Sequence, residues 1–302
     1  MKLIKPTVIT DAMFTSSTAP ETDFPAWDAA TAYVVGNKCI MVSTHRIYEC
    51  LVANTNFSPD VNLTGSTPKW LDIAPTNKWA MMDNVVGTVT AVASPLTVVL
   101  SPGALSGLAL IELTGKTATV TLKDAPAGAT VYSATVSLDG TIITSFYDWF
   151  FTPYEQLDTV VLTDLPWQYF APQLTVSITS TSGNVGCGVF KVGEVIDIGG
   201  TEYGATLGII DYSKKTKDLF GNIKILEGAF SKRSSFKVQT DQANFNRIAR
   251  VLVSVRAKPV IVIGSEVAGY EPLTIYCFVK DWSIDVAYPE TNYCNLEIEG
   301  LV

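Results

Sequence analysis

From residue 76 onward the chain alternates short apolar runs with turn formers. Residues 85–93, 96–100, 108–113, 117–122, 130–136, 159–162 and 174–180 are rich in Val, Thr and Leu. Between them stand Ser101-Pro102-Gly103, Thr114-Gly115, residues 124–128, Asp139-Gly140 and Ser182-Gly183-Asn184. Branched side chains suit a pleated, half-buried surface, and turn residues at this spacing close antiparallel connections. Residues 76–190 therefore predict a β-sandwich of about seven strands, with a jelly roll as the expected arrangement.

Residues 191–302 break that rhythm once. Phe245, Ile248, Ala249 and Leu252 recur at helical spacing, Arg247, Arg250 and Arg256 take other positions, and Pro259 follows, which predicts an amphipathic helix capped by Asp241. Strand patterns surround it at 222–227, 230–238, 260–263, 273–279, 282–286 and 294–301, so this part predicts an α+β domain with one main helix on an antiparallel sheet. Gly199-Gly200-Thr201-Glu202-Tyr203-Gly204 matches neither GxxxxGK[ST] nor GxGxxG, and its glycines read as loop or bulge positions.

Residues 24–75 have a texture of their own. Two apolar runs, 37–42 and 47–52, flank the polar tip Ser43-Thr44-His45-Arg46, the pattern of a β-hairpin. A turn at Thr44-His45 sets Cys39 across from Cys50. Trp27, Tyr33, Tyr48 and Trp70 are spread through this small unit, and each ring either plugs its core or lies on its surface. Residues 1–23, with a Thr/Ser/Ala/Pro-rich middle, read as an N-terminal arm extended along a neighbour. The whole is expected to be mainly β and multidomain.

Composition narrows the chemistry. Of 302 residues 47% are hydrophobic and 17% charged, and the mean hydropathy of +0.26 suggests apolar surface covered by partner subunits. No signal-peptide core and no uninterrupted apolar stretch of membrane-spanning length is present, so synthesis in the cytoplasm without a membrane span is expected. Five cysteines, an odd number without CxxC spacing, argue against a zinc cluster or disulfide scaffold, and no cofactor is expected. His45 is the only histidine and reads as an exposed hairpin-tip residue, which removes Ser/His/Asp, Cys/His and multi-histidine sites. Asp148, Glu155 and Asp158 lie near aromatics but read as solvated loop carboxylates, and a non-enzymatic protein is expected.

Charge is uneven along the chain. Residues 211–258 hold 11 Lys and Arg against 4 Asp and Glu, while the total is −8, leaving −15 elsewhere. Opposite signs on separate regions favour docking between chains, with Lys214, Lys215, Lys217, Arg247 and Arg250 as docking residues. An acidic whole without a nucleic-acid motif argues against nucleic-acid binding. Aromatics concentrate in Asp148-Trp149-Phe150-Phe151-Thr152-Pro153-Tyr154 and Pro166-Trp167-Gln168-Tyr169-Phe170, either as an exposed patch or as a buried cap or subunit interface.

Two resemblances add to this reading. Ala26-Trp27, Tyr33, Gly36, Tyr48, Pro59 and Trp70, in that order, resemble the small carbohydrate-binding modules appended to bacterial chitinases and cellulases. The resemblance implies that Trp27 and Tyr33 hold the module together, while Trp70, with Tyr48 or Phe57, stacks on sugar rings. Asn54, Asn56 and Asp60 are the neighbouring groups able to bond sugar hydroxyls. The other reading places all four aromatics in a core or interface. Asn77-Lys78-Trp79-Ala80-Met81-Met82-Asp83, Gly208-Ile209-Ile210-Asp211-Tyr212-Ser213, Phe220-Gly221-Asn222, Tyr288-Pro289 and Cys294-Asn295-Leu296-Glu297-Ile298-Glu299-Gly300-Leu301 resemble structural proteins of tailed bacteriophages. That implies an oligomeric tail, baseplate or fibre-attachment subunit of the virion, assembled in the host cytoplasm with other tail subunits and presenting the front module to host polysaccharide. The alternative is a structural adaptor whose module only docks or decorates.

Overall fold

The computed structural model describes residues 1–141, 143–217, 221–267 and 269–301. Its spine is an antiparallel sheet of ten strands. In spatial order these are Val160–Leu162, Gly107–Ile111, Val189–Asp197, Lys2–Pro6, Val260–Ile263, Thr274–Asp285, Thr291–Gly300 and Phe230–Asp241, the last pairing with both Gly200–Thr201 and Thr206–Asp211. The protein is mainly β, multidomain and sandwich-like, with one main helix.

The chain's first residues sit in the interior of this sheet. Lys2–Pro6 pairs on one side with Val189–Asp197 and on the other with Val260–Ile263. Leu3 and Ile4 are both fully buried, on opposite faces as successive strand residues must be, so each face gains an anchor. The residues expected to form an N-terminal arm extended along a neighbour thus begin with an interior strand of the long sheet. The Ser/Thr-rich stretch is used too: Phe14–Ser17 pairs along the edge of a second sheet through its backbone, which needs no apolar side chains. The expected boundary at 190/191 likewise falls within the continuous Val189–Asp197 strand. Phe190 and Val192 of that strand join one core while Ile196 joins another on the same face.

The second sheet has five strands in the order Thr130–Ser137, Thr117–Lys123, Gln173–Thr179, Leu96–Leu100 and Phe14–Ser17. Its strict alternation aims Leu96, Val98, Leu100, Ala118, Val120, Leu122, Leu174, Val176 and Ile178 inward, against Leu108, Leu110, Phe190 and Val192 of the long sheet. This is the sandwich. Further along the same face the long sheet is covered by helix α2, Phe245–Ser254, whose Ile248 and Leu252 are buried with Val255 among Val238, Val260, Cys277 and Leu296. Burying each of those aliphatic side chains contributes about 2 kcal/mol. Asp241 makes no capping bond, because a short 3-10 turn, Gln242–Asn244, intervenes and Asn244 occupies the N-cap. At the end of the long sheet Gly199 (φ +140°) passes so close to Gln239 that a Cβ would lie 2.1 Å from its carbonyl oxygen, a bulge-like approach only glycine permits.

Residues 24–75 form small sheets of their own: Lys38–Met41, Arg46–Cys50 and Trp70–Pro75 in one, Ala32–Tyr33 and Asn54–Thr55 in another. The hairpin loop occupies residues 42–45, which shifts the expected register by two and sets Cys39 opposite Tyr48. A two-residue shift keeps the same face inward, so Cys39 and Cys50 still share the module core, both as free thiols.

Candidate functional site

The module's core is Tyr33, Cys39, Tyr48, Cys50 and Trp70, with Trp27 packed against it. Trp70 is 1% exposed and Tyr48 2%, so neither presents a ring face to a sugar, and their expected role as a stacking platform is corrected. A unit this small has few apolar residues to enclose, and its largest rings are what fill it. The polar edges of Trp70, Tyr48 and Tyr33 are satisfied internally, while the buried Trp27 indole N–H has no hydrogen-bond partner among the described residues. The indole N–H of Trp70 donates to the Phe57 carbonyl at 2.8 Å, and the Tyr48 hydroxyl pairs with Thr44 Oγ1 at 2.9 Å. Tyr33 meets Trp70 edge-on at 5.0 Å, and its hydroxyl accepts from the Asp28 N–H. Desolvation pushes both phenols above their usual range.

Asn54 is also interior, its amide donating to the Val52 carbonyl and toward Cys50 Sγ, and it is corrected from a hydroxyl-binding group to a core polar residue. Phe57, Asn56 and Asp60 remain on the surface in one loop. Phe57 is 44% exposed, with the Lys69 ammonium 5.6 Å from its ring centroid, and Asp60 accepts from Ser58 Oγ. One exposed phenyl ring is all that is left of the expected platform.

The hairpin tip is not a solvent-exposed loop end. His45, held at φ +56°, stacks on Trp79 with centroids 4.2 Å apart, and its two ring nitrogens lie 2.8 Å from carboxylate oxygens of Glu21 and Asp11. Whichever nitrogen carries a proton therefore has an acceptor. Glu21 also accepts from Thr76 Oγ1 and lies 3.8 Å from Lys78, while Thr76 N–H donates to the His45 carbonyl. Trp79 in turn meets Phe14 at 4.8 Å with the rings tilted by 31°, and the Lys78 ammonium lies 5.0 Å from the Phe14 centroid. His45 is thus corrected from an exposed residue to the bolt between module and body.

The segment that carries Trp79 continues inward. Asn77 pairs through its side chain with both backbone groups of Ala91, Thr90 Oγ1 bridges Asn77 and Met81, and Met81 enters the sandwich core. Beyond it the carbonyls of Met82 and Asp83 and the Asn84 amide oxygen all accept from the ammonium of Lys191, a residue only 5% exposed on the long sheet. Burial lowers Lys191 to about 8, with the nearby Asp83 opposing that shift, and the Tyr276 ring lies 5.8 Å from the charge. The stretch from Asn77 to Asn84 thereby ties module, first strands, sandwich and long sheet together. Sequence reasoning singled out this motif but not Glu21, Asp11 or Lys191, whose partners are distant along the chain.

Among the described residues, two surfaces outside this junction are exposed without a packing partner. The first is helix α1, Phe146–Phe151, which has no buried residue. It forms because it is capped: Ser145 Oγ accepts from the Asp148 N–H, and the Asp148 carboxylate accepts from Thr144 N–H and Oγ1. These bonds hold Asp148 below the usual carboxylate range. The base of the excursion is pinned by Gly140 N–H to the Glu155 carbonyl and Glu155 N–H to Thr141 Oγ1. Phe146 is 86% exposed, and Tyr147, Trp149, Phe150 and Phe151 are 67–70% exposed. The alternative of a buried aromatic cap is set aside for this segment, and the Ser-x-x-Asp signature before it was the available signal for the helix. In the second aromatic cluster Trp167 and Phe170 are exposed as well.

The second surface is a two-stranded arm, Lys214–Lys217 with Ile223–Leu226, which extends the Thr206–Asp211 and Phe230–Asp241 pair and, among the described residues, bonds to no other strand. Every residue of both strands is exposed. Lys214, Lys215, Lys217 and Lys224 take part in no ion pair among the described residues. Arg247 and Arg250 are exposed on α2 but partly engaged, Arg247 with the Asp197 carbonyl and Arg250 with the Asn246 carbonyl. Phe220 of the Phe220-Gly221-Asn222 motif lies outside the described residues. Among the described residues no group of three or more His, Cys, Asp or Glu side chains is arranged to hold a metal ion, and no helix is long and apolar enough to cross a membrane. Set against known proteins, the chain matches no family model and no curated protein.

Proposed function

We propose that this protein is a non-enzymatic structural subunit that acts by assembly, and that it serves as an adaptor in the tail or baseplate of a tailed phage, as its sequence resemblance suggests. The observation that carries the assembly reading is α1: five of its six residues bear large rings, all open to solvent, which exceeds what a monomer ordinarily leaves uncovered. Support also comes from the junction around His45 and Trp79, which fastens the front module to the body by a ring stack and two carboxylate contacts. With Trp70 and Tyr48 enclosed, the module serves as a docking or decorating unit, and its partners are copies of this chain and other tail subunits.

Labelling of purified particles with an antibody against the full chain tests this reading. Signal confined to the tail or baseplate is the expected outcome; absence of the chain from particles refutes the assignment. A glycan array probed with the multivalent protein supplies the contrast, since strong sugar binding lost on Phe57→Ala would favour the host-polysaccharide reading instead.

A further inference from the structure

The arm and α1 are complementary. The arm's register pairs Ile225 with Lys215 and Ile223 with Lys217, so one face of the ribbon carries two isoleucines and two lysines, and the other carries Leu226, Thr216, Lys214 and Lys224. A two-stranded ribbon exposed on both faces is marginally stable alone in water, and neighbouring lysines on one face repel each other. The arm therefore needs a surface that is apolar and acidic. The α1 region is that surface. Residues 124–190 contain Asp124, Asp139, Asp148, Glu155, Asp158 and Asp164 and no Lys or Arg at all. Ile143, Phe146, Trp149 and Phe150 line a shallow cleft along the helix, with Asp139, Glu155 and Asp158 exposed in the same excursion or at its base.

We propose, building on the assembly reading above, that copies of this chain join head to tail, the basic arm of one seated on the aromatic, acidic α1 surface of the next. Both surfaces are open within one molecule, and they belong to opposite ends of the strand order: α1 leads into the edge strand Val160–Leu162, and the arm hangs from the strands at the other end. A symmetric contact is disfavoured for either surface, because arm against arm opposes lysines and α1 against α1 opposes carboxylates. Only the unlike pairing neutralises both charges, and with the two surfaces at opposite ends of the strand order, copies joined in one sense propagate as a ring or a filament. The five α1 rings and Tyr154 offer about 800 Å², the share one partner contributes to an interface of ordinary size. Lysine over an aromatic face is a contact this chain already makes, as with Lys237 over Tyr293 at 4.2 Å. A lipid surface is the poorer occupant for α1, since membrane-seeking aromatic helices carry flanking basic residues and this region has none.

The test uses the full chain and two variants that spare the cores. One reverses the arm (Lys214→Glu, Lys215→Glu, Lys217→Glu and Lys224→Glu); the other strips the helix (Phe146→Ser, Trp149→Ser and Phe150→Ser). Circular dichroism checks that both keep the wild-type fold, and sedimentation velocity reads assembly. The wild type is expected to form oligomers that weaken as salt rises, and each variant alone to lose association by more than about tenfold. Mixed one to one, the two variants should form a dimer and stop there, because the mixture holds one intact arm and one intact α1 surface per pair. Assembly of the helix variant like wild type, or a mixture that stays monomeric, overturns the proposal. So does helix-dependent binding to phosphatidylcholine vesicles by a wild type that does not assemble. A wild type that is monomeric throughout sinks the head-to-tail contact but not the adaptor reading, which the particle labelling decides separately.

Discussion

Replacing Trp70 by alanine separates a core ring from a binding ring on stability alone. The indole is 1% exposed, meets Tyr33 edge-on at 5.0 Å and donates to the Phe57 carbonyl at 2.8 Å. Removing a ring so placed costs about 3–5 kcal/mol, through lost burial and the cavity left in a core that has only four other fully enclosed members. An exposed stacking ring would cost under about 0.5 kcal/mol. Because the module has its own core, the loss should appear locally. In hydrogen exchange read by mass spectrometry, amides of Lys38–Met41, Arg46–Cys50 and Trp70–Pro75 should lose protection together while Val260–Ile263 in the long sheet keeps its own. Trp70→Phe retains most of the volume and forfeits mainly the hydrogen bond, so it should cost about 1–2 kcal/mol. A Trp70→Ala penalty below about 1 kcal/mol, with exchange from Arg46–Cys50 unchanged, refutes the enclosed-ring account.

Glu21→Ala removes an acceptor shared by His45 and Thr76 and should cost about 2 kcal/mol, seen as faster proteolysis between residues 75 and 78 than in wild type. Lys191→Met probes the buried ammonium through pH. Its folded-state value of about 8 lies below the ordinary 10.5, so between those values the unfolded chain binds the extra proton and wild-type stability rises with pH. Urea melts of both proteins at pH 7.5 and 10.5 should show wild type gaining up to about 3 kcal/mol relative to Lys191→Met. The buried thiols act in the opposite direction. Burial pushes Cys39 and Cys294 up to about 11 and Cys187 up to about 12, so the stability they contribute is whole below pH 9 and is lost as pH climbs through those values. Thiol reagents should accordingly label none of the five cysteines in the native protein and all five in denaturant, as measured by intact mass.

Local patterns carried much of the fold. Alternation of apolar and polar residues in Leu96–Leu100, Thr117–Lys123 and Gln173–Thr179 is the signature of one inward and one outward face, and the spacing of Ile248 and Leu252 is the signature of a helix lying on a sheet. These signals are legible because each depends only on residues a few positions apart. The charge division is equally a property of the chain as written, and it marks Lys214, Lys215 and Lys217 as a basic cluster whatever element carries them.

Whether a ring faces in or out is a different kind of question. Trp70 and Tyr48 have the same spacing whether they stack on sugar or on each other's neighbours, and the hydrogen bonds that enclose them come from Phe57 and Thr44 across a register that the turn length sets. His45 looked like a loop tip because Asp11, Glu21 and Trp79, which hold it, lie 24 to 34 residues away in either direction. The Lys2–Pro6 segment carried no strand signature strong enough to place it, yet it is an interior strand of the longest sheet, since only the assembled fold supplies two flanking strands and a core on each face. What the sequence determined by itself is therefore the kind of element, the sign of its charge and the side chains available to it. What tertiary structure alone decided is which of those side chains are enclosed and which, like the rings of α1, stay exposed, because burial is a property of contacts between segments and has no local cause.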